Sequence, residues 1–322
     1  MEHISIEQIL AGTSIGQRQS VGYMDIIPIL GDDDNSFAPP TIEISSPNYG
    51  IVNLRNNNTN PTIIPTGAGW IVKQAVQDHA IGTALIIPGK TNAVVETAKC
   101  IQETQGGHIS SGTYEMLVLP TQLRNKALNT RNQNGYNQLW EPIKQFNTQY
   151  DIQRDAYGHL EYFLNQFKKE LDQFVAEFEL VPNQVGAIVV VGDQIVGIER
   201  APSFEFWAMV WTPLIRVCYG SLALKLDKQK QHAPTKTRTP LDAARAKSLK
   251  DIEKALTKAT QKSNEITNKI TLQAKKALLK HNKTPEMTSQ QHTMFTAASN
   301  TYAGQFITEG TNTKYASIFA RA

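Results

Sequence analysis

The chain has 322 residues, 19% of them charged, and a mean hydropathy of -0.34, so it is long enough to bury a sizeable core and is not biased like a disordered tail. Its formal net charge of +3 is uneven: 16 Lys or Arg against 5 Asp or Glu between Lys225 and Lys283 leave +11 there and -8 elsewhere. Two distant cysteines, Cys100 and Cys218, exclude a disulfide framework; no run reaches the roughly 18 apolar residues of a membrane helix, and no leader pattern opens the chain, so a reducing, cytoplasmic setting is expected.

In chain order, Met1 to Thr13 predicts a short helix through Ile4, Ile6, Ile9 and Leu10. The segment Gly31-Asp32-Asp33-Asp34-Asn35 reads as a turn, and its three adjacent carboxylates lack the alternating spacing of a calcium loop. Short strands are expected over 41–44 and 50–54, then an Asn-rich turn over 55–60, and a strand beginning at Ile63-Ile64. Gly67 and Gly69 permit close backbone approach or positive φ without forming a nucleotide signature. Residues 80–88 read as a strand, paired with 91–97 through a turn at Pro88-Gly89-Lys90.

Beyond a partly helical, amide-rich region over 123–150, Leu160, Phe163, Leu164, Phe167, Leu171, Phe174, Val175 and Phe178 recur at three- and four-residue steps. That spacing predicts a helix from Asp155 to Leu180 whose aromatic stripe is core packing. Residues 184–191 and 194–198 predict a hairpin turning at Gly192-Asp193. An apolar helix interrupted near Pro213 is expected over 204–224, and a long Lys-rich helix or helix pair within 241–281. The spacing of Leu249, Ile252, Leu256, Ile266 and Ile270 is not read as a sustained heptad. Tyr302, Phe306, Tyr315, Ile318 and Phe319 predict a final β element docked on the body.

The expected fold class is therefore α+β: a β-rich body with a long basic helical segment near the C-terminus. The expected division is a body over 1–224, a basic helical insertion or hairpin over 225–290, and a docking C-terminal segment over 291–322.

The chemistry-bearing side chains concentrate between Ile63 and Ile109. Lys73 and Gln74 offer a cation and an amide for an anionic or adenine-bearing ligand. Cys100 and His79 have the types needed for a thiolate and its base, with Glu103 to orient the imidazole, while the alternative for Cys100 is a small buried side chain. His108, after Gly106-Gly107, is a ligand contact or an ordinary surface residue. The eight-residue separation of Cys100 and His108 lacks zinc-site spacing, so no structural metal is expected. No cofactor is legible.

The run Trp70-Ile71-Val72-Lys73-Gln74 with Asp78-His79 resembles the Gly-Ala-Lys-Gln-Asn-Arg region of a bacterial family named for association with ADP-ribosylglycohydrolases and rhodanese-like phosphatases. Glu96 to Gly106 resembles its Pro-Val-Ser-Cys-Val-Glu-x-Gly-Arg-Trp region, and Pro182 to Gly197 its glycine-rich hairpin. This chain departs at Gln77-Asp78-His79 and at Gly107-His108, where the family has Asn-Arg and Arg-Trp. The resemblance implies a noncatalytic accessory or ligand-sensing protein for an ADP-ribose-like, NAD-derived or other phosphorylated ligand, in bacterial or phage conflict biology. Lys73, Gln74, His79, Cys100, Glu103 and His108 are the ligand-binding candidates. The alternatives are a structural or protein-interaction component, using the basic helical segment, and an enzyme acting on a nucleotide or ADP-ribose derivative. Lysine-rich sequence without a base-reading module is not expected to bind nucleic acid, and no membrane partner is expected.

Overall fold

The computed structural model describes residues 1–72, 77–104, 114–152, 157–230 and 249–321. It is a mixed fold of several antiparallel sheets and helices. The largest sheet has eleven strands and draws on both ends of the chain. Its interior strand Gln184–Val191 is buried at every position and pairs with Met24–Leu30 on one side and Gln194–Arg200 on the other. The sheet then continues through Asn312–Ala320, Tyr302–Glu309 and His292–Ala298 to Leu278–His281 and Glu2–Ser5.

The apolar run Val185-Gly186-Ala187-Ile188-Val189-Val190-Val191 is unbroken because both faces of the sheet are covered. Strand geometry sends alternate side chains to opposite faces. Ile26, Ala187 and Val189 accordingly join a core with the helical segments of 204–230, while Ile27, Ile29, Ile188 and Val190 join a second core containing Ile6, Ile9 and Ala274. At about 25 cal/mol per Å² of apolar surface removed from water, such two-sided burial is the main source of stability. A one-residue slip of Gln184–Val191 would exchange the two sets of side chains between the cores.

The predicted hairpin forms, with Gly192 at φ +66 in its turn. The helix expected over 204–224 starts behind Ser203, whose hydroxyl accepts from Phe206 N at 3.2 Å. Its α-helical part ends at Pro213, which has no N–H to donate; Leu214–Tyr219 is π-helical, and Gly220–Lys230 resumes the α-helix. The aromatic stripe at 160–178 lies on two helices, Leu160–Gln166 and Lys168–Glu177. Phe167 N still donates to Phe163 O and Leu171 N to Phe167 O, so one apolar ridge crosses the junction. Part of that helix's expected start falls on residues 153–156, outside the described residues.

Two local expectations are corrected. Glu2–Ser5 is a strand paired with Leu278–His281, and the helix is confined to Ile6–Ile9. A capping box sets this boundary: Gln8 N donates to Ser5 Oγ at 3.1 Å and Ser5 N to Gln8 Oε1 at 2.8 Å. The second correction concerns Asn92–Val95, which pairs with Ile51–Arg55, whereas Leu85–Ile87 pairs with Thr62–Ile64. Asn56 explains the parting. Its buried amide donates to Ile87 O at 3.1 Å and Asn60 O at 2.9 Å, and its backbone N–H to Thr91 O at 2.9 Å, so the Asn-rich turn separates the two runs.

Near the C-terminus, Leu249–Lys275 forms one helix of 27 residues. Its last turns dock through Ile270 and Ala274 on the core that holds Ile6 and Ile9. Leu256, by contrast, is 49% exposed. No helix among the described residues is long and apolar enough to cross a membrane.

His292 is buried beside Phe37, with ring centroids 4.4 Å apart, and neither ring nitrogen has a hydrogen-bond partner among the described residues. Burial holds its pKa below the ordinary value, against the pull of Glu309. Below about pH 6.5 the unfolded chain therefore binds the proton first, and this contribution to stability, present at neutral pH, is lost as pH falls through the folded-state pKa. His292→Leu is expected to gain about 1 kcal/mol at neutral pH and to flatten the acid limb, read as urea midpoints between pH 5 and 7.5. An unchanged acid limb would show that His292 does not set it.

Candidate functional site

The strand His79–Ala80 pairs with Lys99–Cys100, placing His79 directly opposite Cys100. The imidazole Nε2 lies 3.4 Å from the Cys100 Sγ and accepts from Gly50 N at 3.2 Å, while Nδ1 faces Gln77 O at 3.0 Å. These contacts suit a neutral ring protonated on Nδ1. Both side chains are completely buried. Burial pushes the Cys100 thiol up to about 12, outweighing its hydrogen bonds, so at neutral pH it is a protonated packing group beside its histidine.

Glu103 faces elsewhere. Its Oε1 accepts from Lys144 Nζ at 3.0 Å and its Oε2 from Gly158 N at 2.7 Å. Partial burial raises its pKa, but the Gly158 and Lys144 bonds prevail and hold the carboxyl below its usual range. Beside it stands His159, the residue that begins the helix Leu160–Gln166 in extended conformation. Its placement follows from packing: Leu160 and Phe163 are buried, Leu160 N donates to Ile101 O at 3.0 Å, and Asn147 Nδ2 donates to His159 O at 2.9 Å.

The His159 ring is stacked on Tyr162, with centroids 4.8 Å apart and planes 9° from parallel. Its Nε2 lies 2.7 Å from Thr104 Oγ1 and accepts from Thr104 N at 3.3 Å. Burial lowers the imidazole pKa, opposed by the carboxylates of Glu103 and Glu161. Glu161 in turn accepts from Gln102 Nε2 at 3.0 Å, and Gln77 Nε2 donates to Gln102 O. The result is a polar cluster in which Thr104 is exposed, Glu103, Lys144 and Glu161 are half-buried, and His159 is 7% exposed. Such a cluster can bind polar ligand groups and exchange a proton with them.

The structure thus puts His79 with Cys100 in the interior and Glu103 at a partly exposed cluster. Lys73, Gln74 and His108 lie outside the described residues. Sequence reading missed Thr104, Lys144, His159 and Glu161; nothing local links Glu103 to the last three, which lie 41, 56 and 58 positions away. The one signal available was a histidine immediately before the first residue of the aromatic stripe.

A separate cleft of about 480 Å³ is lined by Asp32, Asp33, Asp34, Arg200, Asn312 and Lys314 among others. Much of its charge is already engaged: Asp33 accepts from Phe204 N at 2.7 Å, Lys314 binds Asp34 and also Glu309 at 2.8 Å, and Arg200 donates to Ala11 O at 2.9 Å. Among the described residues no group of His, Cys, Asp and Glu is arranged to hold a metal ion.

One family model, described as ARG and Rhodanese-Phosphatase-superfamily-associated Protein domain, matches residues 12–297. No curated protein and no solved structure matches.

Proposed function

Because the chain belongs to the family of ARG and Rhodanese-Phosphatase-superfamily-associated Protein domains, linked to the ADP-ribosylglycohydrolase and rhodanese-phosphatase superfamilies, we propose that it is a noncatalytic accessory protein that senses an ADP-ribose-like or NAD-derived phosphorylated ligand in bacterial or phage conflict. The observation that carries this reading is the Glu103, Lys144, His159 and Glu161 cluster, which offers carboxylates for ribose hydroxyls and a cation for phosphate. The buried, protonated Cys100 argues against a thiolate enzyme. Lys73 and Gln74, four and three residues before Gln77 in sequence, are included in the proposal. His108, five residues after Glu103, belongs to the same proposal.

The test is a thermal-shift titration with ADP-ribose, NAD and cyclic or phosphorylated nucleotides. A ligand at 100 times its Kd stabilises the fold by about 2.7 kcal/mol, which is readily seen. Glu103→Gln and Lys73→Ala are each expected to raise Kd about tenfold, equivalent to about 1.4 kcal/mol. Absence of a shift across the panel would remove the ligand-sensing reading and favour a protein-interaction role. That second reading has its own support: on the helix Leu249–Lys275, Lys250, Lys254, Lys258 and Lys262 recur at four-residue steps and are exposed, and Leu256 on another face is half-exposed.

A further inference from the structure

We propose that this sensor captures its ligand covalently: the Thr104 hydroxyl, with His159 as its base, attacks the anomeric carbon of a bound nicotinamide dinucleotide and keeps the ADP-ribosyl group. The inference rests on the ligand class proposed above and adds a reaction to it. Its first support is geometric. Thr104 is exposed, yet its Oγ1 stands 2.7 Å from Nε2 of an imidazole that is 7% exposed. Thr104 N also donates to Nε2, at 3.3 Å, so that nitrogen is the acceptor and the ring carries its proton on Nδ1. A hydroxyl aimed at a neutral imidazole nitrogen is the arrangement that general-base activation of a nucleophile requires.

The surroundings select the electrophile. Two carboxylates, Glu103 and Glu161, act on the His159 ring, where they favour the imidazolium that forms when the hydroxyl proton arrives. The same negative charge favours a reacting centre that becomes cationic and opposes one that becomes an oxyanion. Glycosyl transfer through an oxocarbenium-like transition state meets that condition, whereas acyl transfer does not. Lys144, held by Glu103 at 3.0 Å and only half-buried, supplies a cation for the diphosphate of the same ligand.

The step balances without a further reactant. The bond from Thr104 Oγ1 to the anomeric carbon forms as the carbon–nitrogen bond to nicotinamide breaks. Nicotinamide leaves as a neutral base with the bonding pair, and the hydroxyl proton passes to His159 Nε2 and then to solvent. The product is an O-linked ADP-ribosyl threonine, formed once per chain, which is a record of exposure to the ligand and needs no turnover.

The experiment incubates the full chain with NAD and follows intact mass, released nicotinamide and the thermal shift in parallel. One ADP-ribosyl increment per chain, mapped to Thr104 and matched by one equivalent of nicotinamide, is expected. Thr104→Ser keeps the adduct and Thr104→Val abolishes it. His159→Gln slows its formation at least about 100-fold and removes the decline in rate on acidification that protonation of His159 causes in the wild type. A thermal shift with NAD and no adduct, or an adduct on another residue, overturns covalent capture while leaving the sensor. Neither shift nor adduct with NAD overturns covalent capture, and the sensor reading falls with it only when ADP-ribose and the other nucleotides also give no shift.

Discussion

Arg124→Met is expected to cost about 3–5 kcal/mol of folding stability, the scale set by stranding a buried partner charge. Arg124 has no exposed surface, although it belongs to the helix Thr121–Asn129 in the amide-rich region. Its Nη1 donates to Glu199 Oε1 at 2.7 Å, its Nε to Thr66 O at 2.8 Å and its Nη2 to Ser317 Oγ. The guanidinium also lies 4.4 Å from the centroid of Phe319. Burial alone would lower its pKa, but the Glu199 carboxylate more than offsets this and keeps the charge in place. One side chain thereby ties a helix, the loop before the strand Ala68–Val72 and two strands of the large sheet.

Glu199 depends on this cation because its other partner, Tyr219 Oη, donates at 2.5 Å without neutralising it. Arg124→Met leaves that carboxylate buried without its guanidinium. The loss, read as the urea midpoint at pH 7, should shrink on adding Glu199→Gln, with a coupling of at least about 1 kcal/mol. Additive single and double variants would show that the pair is not the unit of stability. Two glycines fit the same network. A Cβ at Gly67, whose φ is +75, would come within 2.6 Å of Arg124 Cγ, and one at Gly197 within 2.0 Å of the Tyr219 hydroxyl oxygen.

These contacts show what the amino-acid sequence discloses. It is explicit about periodicity, so the hairpin around Gly192, the ridge through Phe163 and Phe167 and the interruption at Pro213 are all legible. Gly67 was legible as a site of close approach or positive φ, and both occur there. Pairing between distant runs is not written in periodicity. The partner of Asn92–Val95 was fixed by the buried amide of Asn56, whose role depends on carbonyls more than 30 residues away. The capping box Ser5…Gln8 was present as a pattern and would have moved the first helix to Ile6.

The candidate site shows the same division. His79 and Cys100 were identified as residue types with shared chemistry, and their strands bring them face to face; burial, which turns Cys100 into a packing group, has no local signature. Glu103 was identified from its neighbourhood, but its partners Lys144 and Gly158 come from the helical region that follows.

Phe163→Ala is expected to cost about 3–5 kcal/mol and to disturb the candidate site with it. The ring is fully buried within an aromatic cluster, 4.7 Å from Tyr150, 4.8 Å from Phe146 and 5.4 Å from Phe167 between centroids. Truncation removes its transfer energy and leaves a cavity that rings fixed on three helical or turn segments close only in part. Phe163 lies one helical turn after His159, whose position rests on Leu160 N bonding to Ile101 O and on Asn147 Nδ2. Loosening the first turn of Leu160–Gln166 therefore frees the imidazole from Thr104 before the large sheet unfolds. Urea unfolding reads the stability loss, and NMR of the His159 ring reads the local one. Phe163→Leu, which refills much of the volume, should recover at least half of the stability and return the His159 resonance toward its original position. If Phe163→Ala lowers stability but leaves that resonance unmoved, the aromatic cluster stabilises the fold without positioning the site.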